Sequence, residues 1–298
     1  MNFSQNKWLI LIVLSLIWGS SFILIKKGLV GLSPVQLGAL RVLFTGIFLF
    51  SVGYKSLKTL HKSNYKWIML SGFIGTFFPA FLFAFAETEV DSAVVSILNS
   101  LTPLNTILIG LSVFKIGATR RQFFGVIIGF VGTAILIAAG ADLNPNQNYL
   151  YAGFIILASV MYGINVNLIK RYLQNEKPLA IATGNFIPIV VPAFLILIFS
   201  GFFDSSTLLV DGIYSSIGYV LILSIFGTAM AKVFFNNLVQ ISSPVFASSV
   251  TYVMTIVAII WGVLDGERIG FIQIVGGAII LFGVYLANKK PTAKAAGS

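Results

Sequence analysis

Ten apolar stretches, each close to twenty residues long, follow one another along this chain with little between them. They run roughly over 8–27, 34–54, 66–87, 92–114, 120–140, 149–171, 178–200, 213–238, 243–264 and 270–288. A helix needs about 20 mainly apolar residues to cross a hydrocarbon core of about 30 Å. A chain inside lipid must also satisfy its own backbone hydrogen bonds, which helices do. The stretches therefore predict an all-α integral membrane protein of ten transmembrane helices, with loops too short for a soluble domain. Composition agrees: 57% of residues are hydrophobic and 9% charged, with a mean hydropathy of +0.97, whereas soluble domains carry about 25% charged residues. The first stretch is too long, and too closely followed by a second, to read as a cleaved signal peptide. The polar tail 291–298 is expected to be disordered.

The absence of cysteine excludes disulfides, thiol nucleophiles and thiolate-bound metals, and a single histidine, His61, leaves no multi-histidine metal site. No cofactor is expected. The net charge of +10 could suggest nucleic acid, but its distribution points elsewhere. With the N-terminus cytoplasmic, that side holds Lys7, Lys55, Lys58, Lys62, Lys66, Lys115, Arg120, Arg121, Lys170, Arg171, Lys177, Lys289, Lys290 and Lys294. Lys26, Lys27 and Arg268 lie opposite, and Arg41 and Lys232 fall inside spans. This excess of basic residues is the positive-inside pattern. It predicts cytoplasmic N- and C-termini in a bacterial-type inner membrane and requires no nucleic acid.

The sequence also matches itself. At an offset of 144 residues Gly19 meets Gly163, Leu24-Ile25-Lys26 meets Leu168-Ile169-Lys170, and Pro34 meets Pro178. The offset becomes 152 where Gly75-Thr76 meets Gly227-Thr228, and 151 where Gln122, Gly125 and Gly132 meet Gln273, Gly276 and Gly283. Residues 1–142 and 143–290 thus read as two five-helix repeats. An odd number of spans per half forces the second half into the membrane from the opposite side. Such inverted-topology repeats are common in secondary transporters, which bind substrate near mid-membrane between the repeats.

Several of these residues carry a resemblance. The IWGSSF…K run of the first span, Arg41, the stretch from Ser92 to Pro103, the turn Gly266–Arg268 and the closing helix with its G-x6-G spacing resemble the drug/metabolite transporter superfamily, in its ten-helix EamA-type branch. The resemblance covers nearly the whole chain. It implies an inner-membrane exporter of amino acids, related metabolites or toxic compounds, working by alternating access. The chain departs from the pattern at Lys115-Ile116-Gly117, where a Gly-Glu pair is common; the second half keeps that pair as Gly266-Glu267.

Candidate cavity residues follow from polar stripes, because polar groups on a membrane helix should face the bundle interior or water. On the fourth span Ser96, Asn99, Pro103 and Thr106 share a helical face, and Pro103 removes a backbone hydrogen bond and frees a carbonyl. The bland alternative is hydrogen bonding between helices and a structural kink. Tyr162 and Asn165 on the sixth span, with Ser159, match Trp18 and Ser21 on the first; aromatic groups with polar tips suit a zwitterionic or flat metabolite, or are ordinary core. On the ninth span Ser248, Tyr252 and Thr255 form a comparable face.

Lys232 shares a four-residue spacing with Ser224, Thr228 and Asn236. It either snorkels to the interface or faces inward, where it attracts a substrate carboxylate or pairs with a neighbouring group. Arg41 is assigned to capping carbonyls or pairing with an outer acid rather than to ligand. Glu87, Glu89 and Asp91 cluster at an outer turn; Glu87 is the candidate for ion coupling, against a plain solvated turn. The glycines Gly125, Gly129, Gly132, Gly276 and Gly283 suit helix packing or dimerisation.

The sequence reading is therefore a secondary transporter exporting small organic solutes, as monomer or homodimer, with a channel-like facilitator as the alternative. An integral-membrane enzyme would need a catalytic constellation, and a nucleotide-driven pump a phosphate-binding loop; neither pattern occurs in the sequence.

Overall fold

Helix boundaries fall where local chemistry fixes them. Asn6 starts the first helix by accepting from the amides of Trp8 and Leu9. Ser33 and Gln36 form a reciprocal capping box around Pro34 at the start of the second, a position where proline's missing N–H costs nothing. The computed structural model describes residues 5–114, 120–143 and 147–288; the tail 291–298 and the Lys115-Ile116-Gly117 departure lie outside the described residues.

Eight helical spans are long and apolar enough to cross a membrane: α1 (Lys7–Gly28), α2 (Pro34–Thr59), α3 (Lys62–Ala86), α4 (Ser92–Ser112), α6 (Tyr149–Tyr172), α7 (Pro178–Phe199), α8 (Ile213–Ile241) and α9 (Pro244–Leu264). Two further helices, α5 (Arg120–Leu143) and α10 (Phe271–Asn288), contain shorter apolar runs, Ile127–Ala139 and Phe271–Gly283. Among the described residues there are no strands. Each span reverses the last, so the bundle has a near face, where α1 starts, and a far face, where it ends.

The helices pair as a two-fold relation between halves would pair them. α1 packs along α9 and α6 along α4, while α2 packs on α7 and α5 on α10. The α5–α10 contact is backbone to backbone. A Cβ at Gly276 would lie 3.0 Å from the Leu136 amide nitrogen, and one at Gly132 would lie 2.8 Å from the Gly276 carbonyl. The small-residue faces therefore pack within one chain.

Four spans are broken. α3 and α8 each contain a π-helical segment, Phe73–Phe77 and Leu223–Met230, at positions that match under the 152-residue offset. Such segments shift the helical register and re-aim side chains. α4 breaks between Asn99 and Thr102, and α9 at Ser249.

Candidate functional site

The broken spans surround a cavity whose empty space, open solvent included, is about 950 Å³. α1, α2, α3, α4, α6, α8 and α9 all contribute walls. Its apolar surface is largely aromatic. Trp18 lies 5.1 Å from Phe235 between ring centroids, Phe22 lies 5.9 Å from Phe83, and Phe83 lies 6.1 Å from Tyr162.

The polar groups come in cross-half pairs. A Cβ on Gly227 would sit 2.6 Å from Ser21 Oγ, and one on Gly75 would sit 2.4 Å from Asn165 Nδ2. Ser21 and Asn165 are repeat mates, as are the two glycines, so each half admits the other's polar side chain where it lacks a side chain of its own. Trp18 Nε1 donates to the Gly227 carbonyl at 2.8 Å, and Ser71 Oγ donates to Asn165 Oδ1 at 2.7 Å.

Both intramembrane cations face this cavity. Arg41 Nε donates to Thr228 Oγ1 at 2.9 Å, and Lys232 Nζ donates to Thr76 Oγ1 at 2.6 Å. The two acceptors are repeat mates in the two π-helical segments. The Asn185 amide satisfies its surroundings with its nitrogen on the Ile68 and Ile181 carbonyls, 3.0 Å each, and its oxygen 3.1 Å from Lys232 Nζ. Lys232 is 7% exposed. A charge near the middle of a membrane helix costs about 2.5–3.5 kcal/mol on insertion scales, so neither cation is a casual occupant.

Comparison with known proteins gives the family to which this bundle belongs. Residues 6–138 and 150–289 match the EamA-like transporter family. The chain belongs to that family. Among its relatives, the uncharacterized transporter YyaM of Bacillus subtilis (strain 168) is 23% identical over 296 residues, covering 95% of this chain and 93% of the relative. The uncharacterized inner membrane transporter YedA of Escherichia coli (strain K12) is 24% identical over 291 residues, covering 93% and 89%. A probable amino-acid metabolite efflux pump of Salmonella typhimurium is 24% identical over 181 residues, covering 59% and 56%. A solved crystal structure superposes with a TM-score of 0.66 at 16% identity, over 95% of this chain and 96% of the other, and shows the same fold.

Within this EamA-like bundle the residues picked from sequence divide. Trp18, Ser21, Asn99, Tyr162, Asn165 and Lys232 line the cavity. Ser96, Pro103, Tyr252 and Thr255 do not. Thr255 Oγ1 donates to the Ser96 carbonyl at 3.0 Å and so fastens α9 to α4. Pro103 is buried in the second half of α4, and the Asn99 carbonyl at the break accepts from Thr102 Oγ1 at 2.8 Å rather than standing free. Tyr252 packs against the main hydrophobic core. Arg41 departs from its expected role: its hydrogen bond is to a cavity hydroxyl, and no described carboxylate lies within ion-pair distance of it. Thr76 and Thr102 line the cavity without having been singled out, although the offset that pairs Thr76 with Thr228 already marked the former.

Glu87 lies off this cavity, toward the far face. It is 9% exposed, and its Oε2 accepts from Ser92 Oγ at 2.9 Å; its Oε1 has no hydrogen-bond partner among the described residues. It shares a separate pocket with Lys26, Glu89, Asp91 and Gln147, so the turn is not simply solvated.

The far face is closed beside it by an ionic network. Gly266 takes φ +87°, a turn that glycine makes without a Cβ penalty, and Glu267 folds back toward α4. Its Oε1 accepts from the Ser92 amide at 3.1 Å and its Oε2 from the Ala93 amide at 3.0 Å, capping the helix N-terminus where negative charge is favoured. Lys26 Nζ reaches Glu267 Oε1 and Asp265 Oδ2, both at 2.9 Å, and Lys27 pairs with Asp265. The Lys27 and Lys26 ammonium groups hold the Asp265 carboxyl below its usual range. On the near face Lys170, the repeat mate of Lys26, instead donates to the carbonyls of Val239, Gln240 and Ser242. The two repeat-mate lysines thus differ in their partners: carboxylates for Lys26, neutral carbonyls for Lys170.

Proposed function

We propose that this chain is a secondary carrier that exports small organic solutes, among them amino acids, related metabolites or drugs, across the inner membrane by alternating access. The observation that carries the reading is the cavity between the halves, built by cross-half pairs of repeat mates: Ser21 with Gly227, and Asn165 with Gly75. Its aromatic walls take a carbon body, and its few polar groups take a head group. The relative named as an amino-acid metabolite efflux pump supports amino-acid-like cargo.

The near face is the cytoplasmic one, as the excess of lysine and arginine on that side indicates. The ionic network of Lys26, Lys27, Asp265 and Glu267 then ties the ends of α1, α4 and α9 together on the outer face. Release follows when halves rock about the fixed site and that network parts. Glu87, buried next to the network, is the carboxyl assigned to coupling with protons. The chain carries solute and performs no covalent chemistry on it.

A survey of metabolites in cells with and without the gene, followed by flux into proteoliposomes, tests this. Saturable flux that unlabelled solute competes is expected, and Asn99→Ala and Tyr162→Ala lower it while expression holds. Flux that never saturates, together with a unitary conductance, would replace the carrier by a channel.

A further inference from the structure

The charge balance of the cavity narrows its cargo. Among the residues lining it, Arg41 and Lys232 are cations and none is an acid. The hydrogen-bond partners of both are neutral: the Thr228 hydroxyl for Arg41, and the Thr76 hydroxyl and Asn185 amide oxygen for Lys232; Glu87, outside the cavity lining, acts on Arg41 only through space. The described carboxylates closest in function are committed elsewhere. Glu267 and Asp265 are bound to Lys26 and Lys27, and Glu87 is bonded to Ser92 in a separate pocket.

The two cations act together. Thr228, which holds Arg41, and Lys232 are four residues apart on α8, about one helical turn, so the ammonium and the guanidinium flank one wall. Arg41 uses only Nε on the protein; its Nη groups have no protein acceptor among the described residues. They form a planar pair of donors with the geometry that matches a carboxylate or phosphate edge. An ammonium entering this cavity would meet two like charges and no carboxylate.

We propose that the solute carried here has a net negative charge, borne by carboxylate or phosphate groups on a carbon body, with Arg41 as the two-pronged anchor and Lys232 as the second cation. This rests on the carrier reading above and narrows its cargo from amino acids, related metabolites or drugs to organic anions, with acidic metabolites in place of simple zwitterionic amino acids. The aromatic rings of Trp18, Phe83, Tyr162 and Phe235 take the carbon body, which distinguishes an organic anion from an inorganic one. A simple zwitterionic amino acid fits poorly, because its own ammonium finds no counter-charge.

The test uses the full chain in proteoliposomes, with labelled succinate, phenylpyruvate, 3-phosphoglycerate and leucine as probes, and melting temperature in detergent with the same compounds as an independent measure of binding. At least one of the three anions should show saturable uptake tenfold or more above leucine and should raise the melting temperature. Which anion wins separates carboxylate from phosphate cargo. Lys232→Gln and Arg41→Gln should each cut anion uptake at least tenfold. Should Arg41→Gln not fold, Arg41→Lys keeps the charge, removes the fork, and should still weaken the preferred anion severalfold. Saturable leucine uptake equal to or above that of the anions, unchanged by Lys232→Gln, would overturn the charge class and leave the carrier standing. Neither uptake nor a melting shift with any anion would overturn it as well. A non-saturating conductance would remove the carrier reading itself.

Discussion

Glu267→Gln is the perturbation that bears most directly on alternating access, because it removes one negative charge and almost no volume. The side chain is 1% exposed, and its two oxygens accept from the Ser92 and Ala93 amides and from Lys26 Nζ, at 3.1, 3.0 and 2.9 Å. Glutamine keeps one acceptor oxygen and turns an NH2 group toward the remaining donors. A hydrogen bond to a charged group contributes about 1.5–3 kcal/mol, and a carboxylate at a helix N-terminus about 0.3–1 kcal/mol. Lys26 retains Asp265 and is partly solvated, so the net loss is about 2 kcal/mol and falls on the state with the far face closed. If that network parts in the other state, the equilibrium moves roughly 30-fold toward it, at about 1.4 kcal/mol per factor of ten. The chain has no cysteine, so a single Ser21→Cys in the cavity gives a clean reporter. Labelling by a membrane-impermeant maleimide applied to the far face should speed up by roughly 30-fold in Glu267→Gln, and labelling from the near face should slow. Asp204→Asn, in a far-face turn away from the network, should change neither. A labelling rate within about twofold of the parent, in protein of unchanged melting temperature, would refute the claim that this network sets the closed state.

Two further outcomes follow from packing and titration. Gly276→Val places a branched side chain where Cβ alone would lie 3.0 and 3.1 Å from backbone atoms of Leu136 and Gly132, so it should destabilise by about 1–3 kcal/mol and lower the melting temperature, while Gly153→Ala, with nothing within 4 Å, should not; equal melting of the two would mean the helices do not meet there. On the near face, burial alone would push the Glu176 carboxyl up, but hydrogen bonds from Asn64 Nδ2, the His61 ring and the His61 amide hold it below its usual range. A depressed carboxyl stabilises the fold above the unfolded-state value, about 4.3, and loses that contribution as pH falls through the folded-state value. The melting temperature should therefore drop below about pH 4, with Glu176→Gln less stable than the parent near pH 7 and level with it at low pH; a constant gap across that range would show that the carboxylate charge is not what Glu176 contributes.

The spans were legible because each apolar run meets a chemical stop. Pro34 and Pro178 open helices, and Gly28, Ser112 and Leu264 precede turns, so the expected and observed limits differ by only a few residues except at the 3₁₀ extension 54–59 of α2. The site was legible where helices are regular. Trp18, Ser21, Tyr162 and Asn165 sit on unbroken helices, and their repeat offset carried straight into cavity placement. It failed where a shared helical face, or a distance along a span, was the only guide. Ser96 lies on the same regular segment as the cavity residue Asn99, and Thr255 on the same segment as Thr251, but Thr255 Oγ1 donates to the Ser96 carbonyl and the pair is spent on the α9–α4 contact. Arg41 was judged by its distance along α2 from the membrane surface, which says nothing of the π-helical segment opposite that presents Thr228 to it. Such a register shift costs little in local propensity and leaves no composition signal; only the matched Gly75-Thr76 and Gly227-Thr228 pairs hinted at it.

The seam between α5 and α10 has a different consequence. These two helices contribute no cavity wall, and they meet with backbone nearly touching backbone at Gly132, Gly276 and Gly283. Glycines there leave no side chains to swing, slide or exchange partners. A machine that opens first on one face and then on the other needs one line along which it never opens. In the proposed carrier the ionic ties at the ends of α1 and α9 would be the latches to release, and the glycine seam the spine about which the pages turn.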